Sequence, residues 1–183
     1  MSSVQDKFAA LKDLGVGEFS HLNGSLESHL LETYEILTDW GNLEFVCDAG
    51  LFHASYGTQP MKKFGVAHKD YDPSDRPEIR RIIGVDAENL VYLYGACDRD
   101  YFYPQVGADE PIYRDRFTKC QEVLPKDVMA NLLEITLANE LQICASDASF
   151  LSKNREWYVD LFDRFKPVVS ENAFAQYEEI FRT

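Results

Sequence analysis

The sequence predicts an all-α fold, a helical bundle with a minor β-hairpin. Through most of the 183 residues, apolar side chains recur at intervals of three and four, which is the spacing along one face of a helix. The alternation typical of a strand is confined to residues 112–123. The length and the 45% hydrophobic content fit one globular domain over residues 1–183.

Three helices are predicted in the amino-terminal third. The apolar spacing indicates a helix over residues 4–14 and another over residues 26–40. A break at Gly41 separates the second helix from a third, which Asn42 is expected to cap and Gly57 to end. The third helix is apolar almost all round and is therefore expected to be central. Two helices joined by so short a link run antiparallel.

A long irregular stretch follows, and then helices again. Residues 58–77 contain three prolines and many charges, and a loop of this length in a compact domain is more often a functional lid than a passive link. Residues 112–123 are interpreted as the minor hairpin. Further helices are predicted over residues 77–83, 86–98, 127–144, 149–165 and 171–181, with Gly84 breaking the first two apart.

The net charge and the cysteine spacing limit the possible functions. The formal net charge of −13 argues against nucleic acid and anionic membranes as partners, because both require a basic face. There is no apolar run near eighteen residues and no signal peptide. We therefore expect a cytoplasmic protein with a small-molecule substrate, and the oligomeric state stays open. The four cysteines form no CxxC pair; they are Cys47, Cys97, Cys120 and Cys144.

Two histidines are the main candidates for chemistry. His29 lies near the start of one predicted helix and His53 near the end of the next. Antiparallel pairing places the start of the first helix beside the end of the second, so the two rings are expected to be neighbours that share a metal. The alternative is that they are buried histidines bonded to the backbone. The sequence has no GxSxG elbow, Walker loop or GxGxxG motif to suggest another active site.

A metal requires a third protein ligand. Asp98 is one candidate, since it ends an apolar helix where a carboxylate is expected to cap, pair or ligate. Its alternative role is an ion pair with Arg99 or Arg81. His21, in the loop that leads into the His29 helix, is the next candidate. His68 lies in the irregular stretch and is predicted to act as an acid or base, or to be solvated.

Three segments carry a resemblance to a known family. They are the string HLLETYE that begins at His29, the string AGLFH that ends at His53, and the helix end Cys97-Asp98-Arg99. Together they resemble the ordered core of HD-superfamily metal domains, which implies an HD-domain-like helical bundle. The family uses a histidine on one helix, a His-Asp pair on the next and an aspartate on a later helix. Many of its members are phosphohydrolases.

Two further similarities fall within residues 20–100. The His29 segment is similar to the equivalent stretch of myo-inositol oxygenase, an iron-dependent member of the superfamily. The string AGLFHASYGT, which ends at Thr58, is similar to an uncharacterised bacterial family that shares His21, both histidines of the pair and the YGT triplet. Residues 101–183 show no such resemblance.

The chain departs from the superfamily at one ligand. Ala54 stands where the superfamily has the aspartate that bridges two metals, and Gly57 stands near the place of a phosphate-contacting lysine. The resemblance therefore implies a mononuclear site of His29, His53 and Asp98, with His21 as a further candidate ligand. Two histidines and one carboxylate form the facial triad of non-haem Fe(II) oxygenases.

The first hypothesis is accordingly a mononuclear metal-dependent enzyme that oxidises a small molecule with Fe(II) and O₂. Tyr56 is predicted to hydrogen-bond the substrate or O₂, and Thr58 to contact the substrate. The second hypothesis is a phosphohydrolase of a small phosphate ester or nucleotide, with zinc or manganese and with phosphate held by Arg80, Arg81 or Arg99. The third is a metal-free binding module with a degenerate site.

Overall fold

Helices form most of the chain that the computed structural model describes, namely residues 3–14, 20–21, 24–59 and 72–182. For Ser20, His21, Gly24 and Ser25 the backbone alone is described. The α-helices in these residues are α1 (Val4–Asp13), α2 (Leu26–Asp39), α3 (Glu44–Phe52), α4 (Arg76–Ala96), α5 (Arg99–Phe102), α6 (Lys126–Ser146), α7 (Ala148–Asp163) and α8 (Glu171–Arg182). Short 3-10 turns precede α4 and follow α5, at Pro73–Asp75 and Tyr103–Gln105.

Two small antiparallel ladders complete the described elements. Strand β1 (Ser20–His21) pairs with β2 (Gly24–Ser25), and β3 (Ile112–Arg114) pairs with β4 (Gln121–Val123). The second ladder is the hairpin predicted for residues 112–123, and the all-α prediction with a minor hairpin is confirmed. Within the described ranges, no helix is long and apolar enough to cross a membrane.

Together with α6, helix α3 lies at the centre of the bundle, where it packs against α2, α4 and α6. Its start and end differ from the sequence prediction. Leu43 is the N-cap, without a side-chain cap bond, and the Asn42 amide nitrogen donates to Glu134 Oε2 at 3.1 Å. The helix ends at Phe52, and turns replace the last predicted turn before Gly57.

A close approach between α2 and α3 depends on a glycine. A Cβ built on Gly50 would lie 2.3 Å from Leu37 Cδ1 and 3.7 Å from Thr33 Cγ2. Leu37 is fully buried, so its side chain has little room to withdraw. The missing Cβ lets the backbone of α3 approach α2, and it thereby sets the distance between the two histidine-bearing helices.

We expect Gly50→Ala to lower the free energy of unfolding by about 1–3 kcal/mol, the usual cost of overpacking a core. Chemical denaturation would measure it. Leu37→Val removes the atom that the new methyl group meets, so the cost of Gly50→Ala should be smaller in the Leu37→Val background. Equal costs in both backgrounds would contradict the proposed clash.

Helix α4 contains the predicted break. Gly84 has φ 85° and ψ 170° in the middle of the helix, a conformation that glycine adopts without the strain of a Cβ. The helix therefore bends there, and side chains from its two halves can turn toward each other. This bend forms the Glu88 cluster described below.

Candidate metal centre

The structure places the rings of His29 and His53 together. His29 lies in the first part of α2 and His53 is the C-cap of α3. Both side chains are buried. Their Nε2 atoms are 3.3 Å apart, and the rings meet edge to face with centroids 5.1 Å apart. The antiparallel pairing of α2 and α3 brings them into contact, as their sequence positions predict.

The tautomer of His53 follows from its backbone contact. Its Nδ1 atom lies 2.7 Å from the carbonyl oxygen of Gly50. A carbonyl oxygen only accepts, so Nδ1 carries the hydrogen and donates. In the neutral ring the other nitrogen, Nε2, is then an acceptor. This acceptor is the atom that faces His29.

Gln142 and Glu32 set the tautomer of His29. Its Nδ1 lies 2.5 Å from Gln142 Oε1, and Gln142 Nε2 donates to Glu32 Oε2 at 2.6 Å. An ionised carboxylate accepts only, so Glu32 fixes which end of the Gln142 amide faces His29. The amide oxygen therefore faces Nδ1, Nδ1 carries the hydrogen, and Nε2 of the neutral His29 is an acceptor turned toward His53.

A third acceptor lies beside His29. Asn139 Oδ1, on α6, lies 3.0 Å from His29 Nε2. Burial lowers the pKa of His29, although the neighbouring Gln142 and Asn139 side chains oppose the shift, and the lowered pKa favours the neutral ring that a metal requires. Two nitrogens that each lie about 2.0–2.1 Å from one ion at a tetrahedral angle are about 3.3–3.4 Å apart. The observed separation of the two Nε2 atoms fits a shared divalent ion.

Asp98 does not complete this site. Its Oδ2 atom accepts from Arg114 Nε at 2.9 Å and Nη2 at 2.8 Å, so its carboxylate is engaged in the ion-pair role that was the alternative in the sequence, with Arg114 in place of Arg99 or Arg81. Among the residues with described positions, no group of three His, Cys, Asp or Glu side chains converges. The predicted triad of His29, His53 and Asp98 is therefore not assembled.

Tyr56 and Arg80 meet in a separate network, which we call the Glu88 cluster: Glu88, Arg76, Arg80 and Tyr56. Glu88 is fully buried on α4. Its Oε1 accepts from Arg76 Nε at 2.6 Å and from the Tyr56 hydroxyl at 2.8 Å, while Oε2 accepts from Arg80 Nε at 2.6 Å. Tyr56 and Arg80 thus contact a carboxylate, whereas the sequence predicted that Tyr56 contacts the substrate or O₂ and that Arg80 contacts phosphate.

The remaining predicted residues lie in different environments. Arg81 forms an exposed ion pair with Glu78, at 2.7 Å. Thr58 and Arg99 are buried. His21 belongs to β1, but its side chain lies outside the described atoms, and His68 lies outside the described residues. The roles predicted for both histidines stay predictions.

Three functional candidates were missed by the sequence reasoning. Asn139 and Gln142 stand three residues apart on the buried face of α6, and Glu32 is one turn after His29. The available signal was a pair of amides on the core-facing side of a long apolar helix, where a polar side chain needs a partner. Their histidine partner is 110 or more positions away, so periodicity could not reveal it.

Comparison with known proteins gave a family match over the segment that carries the histidine pair. No curated protein and no solved structure matches the chain. The comparisons show no link to the HD superfamily, and that resemblance stays a prediction. Residues 10–99 match the model of a family described as a domain of unknown function, DUF6817. The matched segment is similar to that family over both histidines of the pair, while Asn139 and Gln142 lie beyond it.

Proposed function

We propose that the chain is a mononuclear metal-dependent enzyme acting on a small molecule, with one divalent ion held by Nε2 of His29 and Nε2 of His53. The observation that carries this proposal is the pair of Nε2 atoms, 3.3 Å apart, with each Nδ1 engaged as a donor. Metal-binding histidines characteristically donate their second nitrogen to a carbonyl or carboxylate, which fixes the ring. Gly50 and Gln142 perform that role here.

Asn139 supports the site from a third direction. Its amide oxygen lies 3.0 Å from His29 Nε2, and an amide oxygen is a competent ligand for a hard divalent ion. A site with three protein ligands leaves a position for water or substrate. His21 remains a sequence-based candidate for a further ligand.

The charge of the ligands decides between reaction classes. Two neutral imidazoles and an amide leave the full positive charge of the ion, which makes it a strong electrophile. A divalent ion bound there lowers the pKa of a coordinated water and polarises a substrate oxygen. Enzymes that activate O₂ with Fe(II) normally have a carboxylate among the protein ligands of the metal, and the Asp98 carboxylate is held by Arg114. Hydrolysis with zinc or manganese is therefore our first candidate.

Oxidation with Fe(II) and O₂ is the second candidate. It rests on the sequence, where Ala54 replaces the bridging aspartate of binuclear hydrolases and the His29 segment is similar to myo-inositol oxygenase. Metal content separates the two reactions, since they need different ions. A metal-free binding module is the third possibility, and the same measurement tests it.

We expect untagged protein to carry about one divalent ion per chain, as a single site requires. Elemental analysis of the purified protein, followed by titration of the metal-stripped protein with Zn(II), Mn(II) and anaerobic Fe(II), measures this. Zinc or manganese favours hydrolysis, and iron with substrate-dependent O₂ uptake favours oxidation. Protein that contains no metal and takes up none of the three ions contradicts the proposal and favours the binding module.

Gln142 should act as a positioning residue for the metal. In Gln142→Met the side chain keeps a similar volume but no longer accepts from His29 Nδ1, so the ring is free to change tautomer. Loss of such a support typically lowers metal affinity by about 10–100-fold. Competition with a metal chelator measures the affinity. Gln176→Met is the matched control, because Gln176 bonds Trp40, and an equal loss there would contradict a specific role for Gln142.

A further inference from the structure

Arg99 is a buried cation beside the histidine pair. It begins α5 and is 7% exposed. Its guanidinium carbon lies 4.7 Å from the ring centroid of Tyr94, and the Tyr94 ring lies 5.2 Å from the ring centroid of His53. Tyr94 therefore contacts both the guanidinium and the proposed metal ligand.

The nearest carboxylate does not satisfy Arg99. Glu140 Oε1 lies 3.6 Å from Nη1, beyond hydrogen-bonding distance, while Glu140 Oε2 accepts from the Tyr158 hydroxyl at 2.5 Å. In the part of the chain that the structure describes, Arg99 Nη2 is buried without a hydrogen-bond acceptor. A buried charged donor without an acceptor destabilises the folded chain, and a ligand that supplies an acceptor would recover that free energy.

The position of Glu140 connects this group to the metal centre. Glu140 follows Asn139 directly on α6, and Asn139 faces His29 at 3.0 Å. Consecutive residues of a helix point about 100° apart, so α6 contributes one side chain to the histidine pair and the next to Arg99. The helix thus borders both groups.

We propose that Arg99 Nη2 binds the carboxylate of a small monoanionic ligand beside the proposed metal site. A guanidinium presents its N–H groups in a fork that matches a carboxylate. The Arg99 and Glu140 charges balance, so a monoanion adds one negative charge to a buried site that contains one carboxylate already. A phosphate dianion adds two, and the repulsion from Glu140 in a poorly solvated site disfavours it.

This inference gives the proposed enzyme a substrate class, a small carboxylic acid. The assignment of that ligand as the substrate rests on the proposed function, whereas carboxylate binding by Arg99 does not. The two are separable because the anion can be tested on metal-stripped protein, in which no ion can bind the carboxylate directly.

Acetate is the probe. We expect sodium acetate to raise the Tm of the metal-stripped full chain by about 3–6 °C at ten times its Kd, compared with sodium chloride at equal ionic strength. Inorganic phosphate at pH 8 should give no comparable shift. No acetate shift at concentrations up to 0.1 M, which would mean a Kd far weaker than about 10 mM, or an equal shift with phosphate, overturns the inference.

Three variants identify the group that binds. Arg99→Lys keeps the positive charge but removes the fork, and acetate affinity measured by NMR titration should fall at least about tenfold. Arg81→Gln, at the exposed pair with Glu78, should leave it unchanged. Glu140→Gln removes the neighbouring negative charge and should strengthen acetate binding severalfold. This variant keeps Arg99 in place, so weaker binding in it overturns the inference even if Arg99→Lys fails to fold.

The metal experiment and the anion experiment test separate claims, so either claim can be contradicted while the other stands. Acetate binding by a chain that takes up no divalent ion would contradict the proposed enzyme and support the Arg99 site. Metal uptake by a chain that binds no acetate would overturn the Arg99 site and leave the metal proposal standing. Binding of both, with no loss of acetate affinity in Arg99→Lys, overturns the assignment to Arg99.

Discussion

His53→Asn should abolish metal binding while the chain stays folded. An asparagine amide nitrogen occupies nearly the place of histidine Nδ1, so it can still donate to the Gly50 carbonyl that His53 contacts at 2.7 Å. It provides nothing at the place of Nε2, which faces His29. The site loses a ligand, and we expect metal affinity to fall by at least about 100-fold, more than the loss of a supporting residue causes.

Alanine is a less specific test at this position. The His53 ring is buried, so His53→Ala leaves a cavity and removes the side-chain donor from the Gly50 carbonyl, which keeps only the backbone N–H of residue 53 at 3.4 Å. Both effects lower the stability of the metal-free chain, by about 0.5–1.5 kcal/mol for the lost hydrogen bond alone. A lower apo Tm in His53→Ala therefore says nothing about the metal.

Three measurements make the His53→Asn test decisive: metal content, metal affinity from chelator competition, and the Tm of each protein with and without metal. A ligand role predicts that the metal raises the Tm of wild type and leaves that of the variant unchanged. His29→Asn should behave in the same way, although Nδ1 contacts Gln142 there. Full metal affinity in His53→Asn would exclude this residue as a ligand.

The parts of the fold that the sequence predicted correctly are those set by local patterns. The apolar spacing located the long helices, and Gly84 located the bend in α4 because a backbone φ of 85° suits glycine. The alternation at residues 112–123 located the hairpin. The predicted cap of α3 was wrong, because the helix begins one residue later, with Leu43 as the N-cap, and the Asn42 side chain bonds Glu134 on a helix about ninety positions away. A cap competes with tertiary partners that the local sequence does not specify.

The candidate site was predictable only in part. The short link between α2 and α3 brings His29 and His53 together, and that consequence of local structure was visible. The acceptor from Asn139 and the support from Gln142 depend on where α6 packs, which no periodicity gives. Asp98 was assigned by position alone, and the β3 strand supplies it with Arg114.

Glu88→Ala should strongly destabilise the fold. The Glu88 carboxylate is fully buried and accepts from two arginines and a tyrosine. Breaking a fully buried pair costs about 3–5 kcal/mol. The Arg76 and Arg80 side chains are 22% and 40% exposed, so both can turn partly toward water. We therefore expect the free energy of unfolding to fall by about 2–4 kcal/mol.

The same helix provides a matched control. Glu78 pairs with Arg81 on the surface, where the two side chains are 48% and 69% exposed. Exposed pairs contribute little, so Glu78→Ala should lower the free energy of unfolding far less than Glu88→Ala does. Denaturant titration of both variants measures the difference, and equal costs would contradict a structural role for the Glu88 cluster.

The pH dependence of this cluster has a definite sign. Burial raises the pKa of Glu88, but hydrogen bonds from Arg76, Arg80 and Tyr56 outweigh it and hold the pKa below its ordinary 4.5. A carboxyl whose pKa is lower in the folded chain contributes stability above the unfolded pKa, and this contribution is lost as pH falls through the folded value. Glu88→Gln removes the titration and keeps the shape of the side chain. The difference in the free energy of unfolding between wild type and Glu88→Gln should therefore be constant from pH 6 to 8 and should decrease below about pH 4.5. A difference that increases on acidification would mean that Glu88 is protonated in the folded chain at neutral pH.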